Sequence, residues 1–368
     1  MLHLDNLART ILDDADAPLA AWRTTEFWDA ARAGGVLPLA YDRVARAGWA
    51  GFDPALRQRI QGEAAAQAAR SALAAADLRR VLEALHAHSV MPVIIKGAGL
   101  AHTVYRRPDL RPCLDADLLI PAGAIDAAHD VFRTLDAEYL PHVTGTYVMS
   151  QFHYLTTDAV GNRHVYDVHW RVVNRLAFAG ALSYEEAAAD AEPLTPLGPF
   201  ARALSPVHAL LIACVHRAAH HAGDDRVIWL VDIHLLANAL SERQQDAFVA
   251  LVGARGLSGI ACAALRMTEA TLDCDASRRL VGRLAATAMN DGGLASTYLR
   301  TDRTRAVDAF NDVRALRGWR ARARLLGELA CPPRAYMREV YAPNSRAPLV
   351  ALYLGRLVAG LWRGRNPR

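Results

Sequence analysis

A short, β-branched stretch from Met91 to Lys96 interrupts a sequence that is otherwise typical of α-helices, and it constrains the fold more than any other feature. Before it, Asp53 and Pro54 predict a helix start, because aspartate caps a first turn and proline is tolerated at the first helical position. Residues 55–88 are rich in Ala, Leu, Arg and Glu, which predicts one long helix. A buried strand directly after that helix predicts a fold that combines helices with a sheet.

The strand signal continues as far as residue 172, and it predicts the order strand, helix, strand, helix, strand, strand. The predicted elements are a strand over 91–96, a helix over 98–105, a strand over 115–120, a helix over 122–135, and strands over 146–157 and 164–172. The last two strands form a hairpin around the turn at Gly161. This order, with helical segments before and after it, predicts the α+β class.

Three regions are expected along the chain. Residues 1–90 form a helical N-terminal region whose core contains Trp22, Trp28 and Trp49. Residues 91–200 form the sheet-containing core, which ends in a proline-rich linker with Pro193, Pro196 and Pro199. Residues 201–368 form a C-terminal helical domain that begins at Ser205-Pro206.

The basic residues are unusual in type and in distribution. Lys96 is the one lysine among 42 Lys and Arg residues, so its position calls for an explanation. Residues 300–368 hold 15 Arg and 5 acidic residues, a local charge of +10 in a chain of net charge +4. Solvated helix faces account for these arginines, and specific nucleic-acid binding is not expected.

The cysteines and the apolar stretches predict a cytoplasmic protein. Five scattered cysteines without a Cys-x-x-Cys pair indicate reduced thiols. The N-terminus has no basic start followed by a long apolar stretch, so we expect no signal peptide. The apolar residues 347–362 include Arg356 and are fewer than the ~20 that span a bilayer, which leaves a docked helix or, less favoured, a helix on a membrane surface.

Lys96, Gly97 and Ala98 lie where the first strand gives way to a helix. Glycine allows a ligand to approach the backbone closely, and the free N–H groups of a helix start attract anions. Lys96 adds a full positive charge beside them. The three residues are therefore a candidate phosphate site, although many strands simply end in glycine.

Acidic residues on two predicted strands are candidate metal ligands. Asp115 and Asp117 are two apart on one strand, so their carboxylates share a face, and they are either a Mg²⁺ site or a solvent-facing pair. Asp167 lies within an otherwise apolar and aromatic strand, where a carboxylate needs a metal, an arginine or a hydrogen-bond partner. His169 shares its face, and we expect it to be an ordinary core histidine bonded to the backbone.

Taken together, these residues resemble an uncharacterised bacterial nucleotidyltransferase family of the DNA polymerase β-like superfamily. The resemblance spans about residues 90–235, and no single motif in it is specific by itself. The matching segments are Ile95–Leu100, Tyr105, Arg111-Pro112, Asp115–Leu119, Asp167–Trp170, Leu204–Pro206, Val215–Arg217, His220 and Trp229–Ile233.

The resemblance implies a small mixed β-sheet that bears three carboxylates. It also implies Mg²⁺-dependent transfer of a nucleoside monophosphate, most simply AMP from ATP, to a hydroxyl or phosphate acceptor. Asp115 and Asp117 would bind two Mg²⁺ ions, and Asp167 would hold the ion nearer the acceptor and help to take its proton. The nucleoside triphosphate would lie against Lys96, Gly97, Ala98 and Arg111. The acceptor itself, a small molecule, saccharide, peptide or protein, is not implied.

One position departs from the superfamily. A serine usually follows the glycine and contacts the phosphates, whereas this chain has Ala98, so Lys96 would replace that contact with Arg111 or Arg106 assisting. The departure keeps open a non-catalytic module that binds nucleotide or protein. A glycosyltransferase with an Asp-x-Asp motif is less favoured, because no parallel nucleotide-binding βαβ region precedes the motif.

A histidine cluster in the helical half resembles a metal site. His216 and His220 are four apart and share a helix face, and His221, Asp224 and Asp225 follow them. No glutamate follows His216, so the zinc-protease pattern is absent. We expect these residues to pack or to line a cleft, and we do not expect a second metal site.

Overall fold

Helices surround one mixed β-sheet in a computed structural model of the chain, which describes residues 22–141, 143, 145–220, 226–285, 293–300, 303–341 and 347–363. The seven strands lie between residues 93 and 203, and helical regions precede and follow them. The predicted α+β class is therefore confirmed.

The N-terminal region is helical, and its helices are α1 (Thr25–Ala33), α2 (Leu37–Ala47) and α3 (Pro54–Ala87). The long helix begins as predicted, because the Asp53 carboxylate accepts a hydrogen bond from the N–H of Leu56 at 2.9 Å. Trp22 and Trp28 are fully buried, as expected for core residues, whereas Trp49 is only partly buried against the same core.

The sheet and the helices between its strands follow in chain order. The strands are β1 (Val93–Ile95), β2 (Asp115–Leu119), β3 (Glu138–Leu140), β4 (Gln151–Thr157), β5 (Arg163–His169), β6 (Glu192–Pro193) and β7 (Arg202–Ala203). The intervening helices are α4 (Lys96–Thr103), α5 (Ile125–Thr134) and α6 (Tyr184–Ala189), with short 3-10 turns at Pro108–Leu110, Ala122–Ala124, Leu176–Phe178 and Thr195–Leu197. Across the sheet the order is β3-β4-β5-β2-β1-β7-β6, with β2/β5 and β1/β7 parallel and the other pairs antiparallel.

The structure shortens the predicted hairpin and adds three strands. The turn at Gly161, with φ of +90°, connects strands that begin at Gln151 and end at His169. The strands β3, β6 and β7 have only two or three residues, too few to show alternation in a sequence. The expected proline-rich linker is therefore wrong in part, because it contributes β6, and Pro193 is tolerated there since β6 is an edge strand.

Alternate residues of the central strands face two hydrophobic clusters. Ile94 and Leu118 belong to the cluster that α3 and α5 cover, whereas Ile95 and Leu119 face a larger cluster built from the N-terminal helices and the helices after residue 206. Because side chains two apart on a strand share a face, the acidic positions of β2 lie on the side of Leu119. The later helices therefore close over that face.

The expected C-terminal helical region begins with the short strand β7, and its other described elements are helices. Its helices are α7 (Pro206–His220), α8 (Val227–Ala239), α9 (Glu242–Ala254), α10 (Ser258–Leu272), α11 (Asp275–Leu284), α12 (Leu294–Tyr298), α13 (Arg305–Ala315), α14 (Trp319–Ala330), α15 (Arg334–Tyr341) and α16 (Leu349–Arg363). In the part of the chain that the structure describes, every helix is too short or too polar to cross a bilayer.

Candidate active site

The register between β2 and β5 brings the predicted carboxylates together. The two strands run parallel, and Asp117 lies directly opposite Asp167. Asp115 precedes Asp117 by two residues and therefore points to the same face. All three side chains line one cleft of about 410 Å³, so the structure assembles the acidic cluster that the sequence suggested.

Asp117 is the most buried member of the cluster, and a lysine and a histidine hold it in place. Its Oδ1 accepts hydrogen bonds from Lys96 Nζ at 2.6 Å and from His169 Nε2 at 2.8 Å. Burial alone would raise the pKa of the Asp117 carboxyl, but the Lys96 charge and both hydrogen bonds outweigh it and hold the pKa well below its usual range. Asp117 is therefore a stable carboxylate whose charge is balanced by Lys96.

Asp167 is bound by two side chains of β4. His153 Nδ1 lies 2.6 Å from its Oδ1, and Gln151 Nε2 donates a hydrogen bond to its Oδ2 at 3.0 Å. Gln151 is itself held by Asn174, whose amide nitrogen donates to the Gln151 oxygen at 3.1 Å. These contacts orient Asp167 toward the cleft. They are the hydrogen-bond partners that a carboxylate in an otherwise apolar strand was expected to need.

Asp115 lies at the mouth of the cleft without such support. The residue is exposed to solvent, and none of the described residues donates a hydrogen bond to its carboxylate. Burial by the surrounding chain and the charges of Asp117 and Asp167 raise the pKa of Asp115 to about 6. A nearby cation would relieve this repulsion.

His169 differs from the sequence expectation. It was expected to bond the backbone, but its Nε2 contacts Asp117, because β5 places it on the face of the carboxylates. Its Nδ1 is buried, and none of the described residues forms a hydrogen bond with it. Within the described residues, Asp117, Asp167 and His169 form the one group whose ligand atoms all lie within 4.8 Å of one another, so this triad can bind a metal ion.

Two further residues around Asp167 could not be identified from the sequence alone. His153 and Gln151 lie on β4, and the first of them pairs directly with Asp167. The predicted hairpin is the signal that brings this strand to β5. However, the pairing partner depends on the register, which follows from the turn type and loop length, and the sequence pattern gave neither of these.

The backbone at Lys96 is in the left-handed region, with φ of +56°. A residue with a side chain is uncommon there, and such strain concentrates at functional sites. The next residue, Gly97, lies close to the loop before β2. A Cβ at this position would lie 3.1 Å from Cys113 Sγ and 3.4 Å from Arg111 Cζ. The N–H groups in the first turn of α4 have no carbonyl partner inside the helix, as a phosphate site needs.

Ala98 lies on the other side of α4 from the cleft. Its methyl group packs against the cluster that includes Ile94 and Leu118, and it lines a second cavity rather than the cleft of the carboxylates. The hydroxyl that the superfamily usually has at this position would therefore point away from Asp117 in this chain.

Arg111 lines the cleft but its guanidinium is bound to Asp232 on α8. Its Nε and Nη2 donate to the two Asp232 oxygens at 2.9 and 2.8 Å, and Tyr105 donates its hydroxyl to Asp232 at 2.6 Å. Burial alone would lower the pKa of Arg111, but the charge and hydrogen bonds of Asp232 outweigh it, so the pKa lies above its usual value. Arg106, the other predicted assistant, pairs with Asp42 and does not line the cleft.

The helices α7 and α8 form the wall opposite the carboxylates. This wall is lined by the side chains of His216, Arg217, His220, Arg226 and Trp229. The expectation that the two histidines pack or line a cleft is confirmed, and their rings lie 5.2 Å apart. His221, Asp224 and Asp225 lie outside the described residues.

Comparison with known proteins gives one family match. A family model described as an uncharacterised nucleotidyltransferase matches residues 21–273, more than two thirds of the chain. The matched span includes the whole sheet, the acidic cluster and the helices that form the opposite wall. No curated protein matches the chain.

Proposed function

Because the chain belongs to the family of uncharacterised nucleotidyltransferases, we propose that it transfers a nucleoside monophosphate, most simply AMP from ATP, to a hydroxyl or phosphate acceptor with two Mg²⁺ ions. One observation carries the proposal. Asp115, Asp117 and Asp167 converge on a cleft whose floor also presents Lys96, so anionic ligands and cations meet at one place.

The residues present fit divalent cations. None of the described residues donates a hydrogen bond to the Asp115 carboxylate, and the neighbouring negative charges raise its pKa, so a bound cation would stabilise its charged form. Asp115, Asp117 and Asp167 would hold the ions, since Mg²⁺ prefers carboxylate oxygens together with substrate phosphates. Bound there, the ions would neutralise the charge on the α-phosphate and on the leaving pyrophosphate.

The positive side chains orient the nucleoside triphosphate. Lys96 and the first turn of α4 bind the phosphates, and Gly97 allows them to approach the backbone. Arg217 and Arg226 add positive charge from the opposite wall of the cleft, where Trp229 offers an aromatic face to the base. The nucleotide therefore lies between the sheet and α7/α8.

Asp167 faces the acceptor. The acceptor oxygen attacks the α-phosphorus of the nucleotide, and the bond between that phosphorus and the leaving pyrophosphate breaks. The proton of an acceptor hydroxyl passes to the Asp167 carboxylate. His153 and Gln151 hold the two Asp167 oxygens, which fixes the carboxylate for this step. Most of the rate enhancement comes from positioning and from charge stabilisation.

The direct test is Mg²⁺-dependent pyrophosphate release from ATP across a panel of hydroxyl and phosphate acceptors. Asp117→Asn and Asp167→Asn should each reduce the rate at least about a hundredfold, because each removes a charge that the transition state needs. Asp246→Asn on α9, an exposed aspartate far from the cleft, is the matched control and should keep the rate. Full activity of the two cleft variants would refute the mechanism.

A non-catalytic nucleotide-binding module is the second candidate, favoured by Ala98 at the usual serine position. The packing of Ala98 away from the cleft weakens that argument. Calorimetry separates the two candidates, since binding of ATP without Mg²⁺-dependent turnover on any acceptor would favour the module.

A further inference from the structure

Large apolar side chains are exposed mainly on the C-terminal helices. Of the thirteen such side chains on the described residues, eight lie between residues 307 and 354, outside the span that the family model matches. Those eight are Val307, Phe310, Trp319, Leu326, Val340, Tyr341, Val350 and Leu354. Single exposed apolar residues are ordinary, but this concentration makes the C-terminal helices a candidate interaction surface.

The exposed residues follow the helical period. On α14, Trp319, Ala323 and Leu326 are four and three residues apart, so they form one stripe, and Trp319 is 74% exposed. Arg320, Arg322 and Arg324 flank that stripe and are also exposed. Phe310 on α13, 60% exposed, follows Val307 by three residues and forms a second stripe.

The acidic residues of this region are turned inward. Asp308 is fully buried and pairs with Arg175 at 2.7 Å, and Asp312 pairs with the same arginine at 3.2 Å. Glu328 accepts hydrogen bonds from the N–H groups of residues 146–148 at 2.8–3.0 Å, and it also pairs with Arg324 at 3.2 Å, so Arg320 and Arg322 carry the unbalanced charge beside the stripe. Among described residues 303–356, Glu339 is therefore the one exposed acidic residue, and the outer surface is apolar and strongly positive.

We propose that the exposed apolar side chains of α13, α14 and α16, with the arginines beside them, bind an anionic lipid bilayer. Apolar side chains in an arginine-rich setting match the two parts of such a bilayer, since the tryptophan and aliphatic groups enter the headgroup boundary while the arginines contact lipid phosphates. The inference is independent of nucleotidyl transfer, because it uses none of the cleft residues.

Two other partners fit the surface less well. Nucleic acids are bound by arginines and aromatic rings, but they offer no apolar contact for Leu326, Val350 and Leu354 on the scale seen here. A second copy of the chain, joined through the same patch, would place the arginines of one copy against those of the other. A bilayer instead supplies both the apolar layer and the negative charge.

Cosedimentation of the full chain with vesicles tests the proposal. We expect binding to phosphatidylcholine vesicles that contain about 30% phosphatidylglycerol at about 0.1 M salt, and at least tenfold weaker binding to pure phosphatidylcholine. The double variant Trp319→Ser with Arg320→Glu should bind the anionic vesicles at least about tenfold more weakly, because it removes an anchor and reverses a charge.

The matched control is Arg266→Glu with Met267→Ser on α10, which changes an exposed arginine and an exposed apolar residue elsewhere on the molecule. It should bind anionic vesicles like the unmodified chain. Equal loss in both double variants would overturn the proposal, and so would equal binding to both kinds of vesicle. Tight binding to RNA or DNA without binding to anionic vesicles would assign the surface to nucleic acid instead.

Discussion

The buried ion pair between Arg111 and Asp232 should be the costliest single contact to break between the sheet region and α8. The two side chains are 11% and 6% exposed, and three hydrogen bonds of 2.8–3.2 Å join them. Arg111 donates to both Asp232 oxygens, so in Asp232→Asn the amide N–H₂ faces a guanidinium N–H at either position, and one hydrogen bond of the pair is lost. The variant also leaves the Arg111 charge buried without a counter-charge.

Removing one partner of a buried pair costs about 3–5 kcal/mol, and Asn keeps part of the hydrogen bonding, so we expect a loss of about 3 kcal/mol in the free energy of unfolding. Urea titration followed by circular dichroism measures it. The exposed pair of Asp246 and Arg283 is the control, and Asp246→Asn should cost less than about 1 kcal/mol.

The double variant Arg111→Met with Asp232→Leu separates an unpaired charge from lost packing. Replacing both charges with apolar groups should recover most of the loss, to within about 1 kcal/mol of the unmodified chain. A loss below about 1 kcal/mol for Asp232→Asn, or no recovery in the double variant, would refute the reasoning. Because Arg111 packs against Gly97, Asp232→Asn should also raise the KM for ATP more than it lowers kcat.

Three further predictions concern the cleft. Lys96→Arg should lower kcat/KM for ATP about tenfold or more, because the wide guanidinium does not reproduce the ammonium contact with Asp117, and full activity would leave Lys96 without a role. Gly97→Ala should raise the KM for ATP without lowering stability much, since the new methyl group would lie 3.1 Å from Cys113 Sγ, whereas Gly62→Ala on α3 has open space and is the control. Because the pKa of Asp115 is raised to about 6, the folded chain without metal binds more protons than the unfolded chain between about pH 4 and 6. The free energy of unfolding should therefore fall as the pH rises through that window. Thermal unfolding in a chelator should show this pH dependence, which should be absent in Asp115→Asn and smaller when Mg²⁺ is added.

Local patterns predicted the acidic face of the cleft but not its complete chemistry. The spacing of Asp115 and Asp117 on one strand already placed both carboxylates on one side, because strand geometry alternates with a period of two. The role of His169 was predicted wrongly, because its contact with Asp117 exists only in the parallel register of β2 and β5. A one-residue shift of that register would have turned His169 to the other face.

The sequence patterns also did not predict the shortest strands or the contacts between residues far apart in the chain. The strands β3, β6 and β7 form because they pair with neighbouring strands, and they are too short for an alternating sequence pattern to predict them. Arg111 was predicted to contact phosphate, and nothing near it in the sequence indicates that Asp232, 121 residues later, binds its guanidinium. Its assignment as a nucleotide contact stays a prediction.

By itself, the sequence determined the α+β class, the long helix before the first strand and the shared face of Asp115 and Asp117. These features depend on helix capping, strand propensity and side-chain periodicity, which act over a few residues. Only the tertiary structure decided that Lys96, His169 and Asp117 meet, that α8 holds Arg111, and that Asp308 and Asp312 turn inward to Arg175. Those contacts join residues distant in the chain, and their partners are selected by strand register and helix packing, which no local pattern encodes.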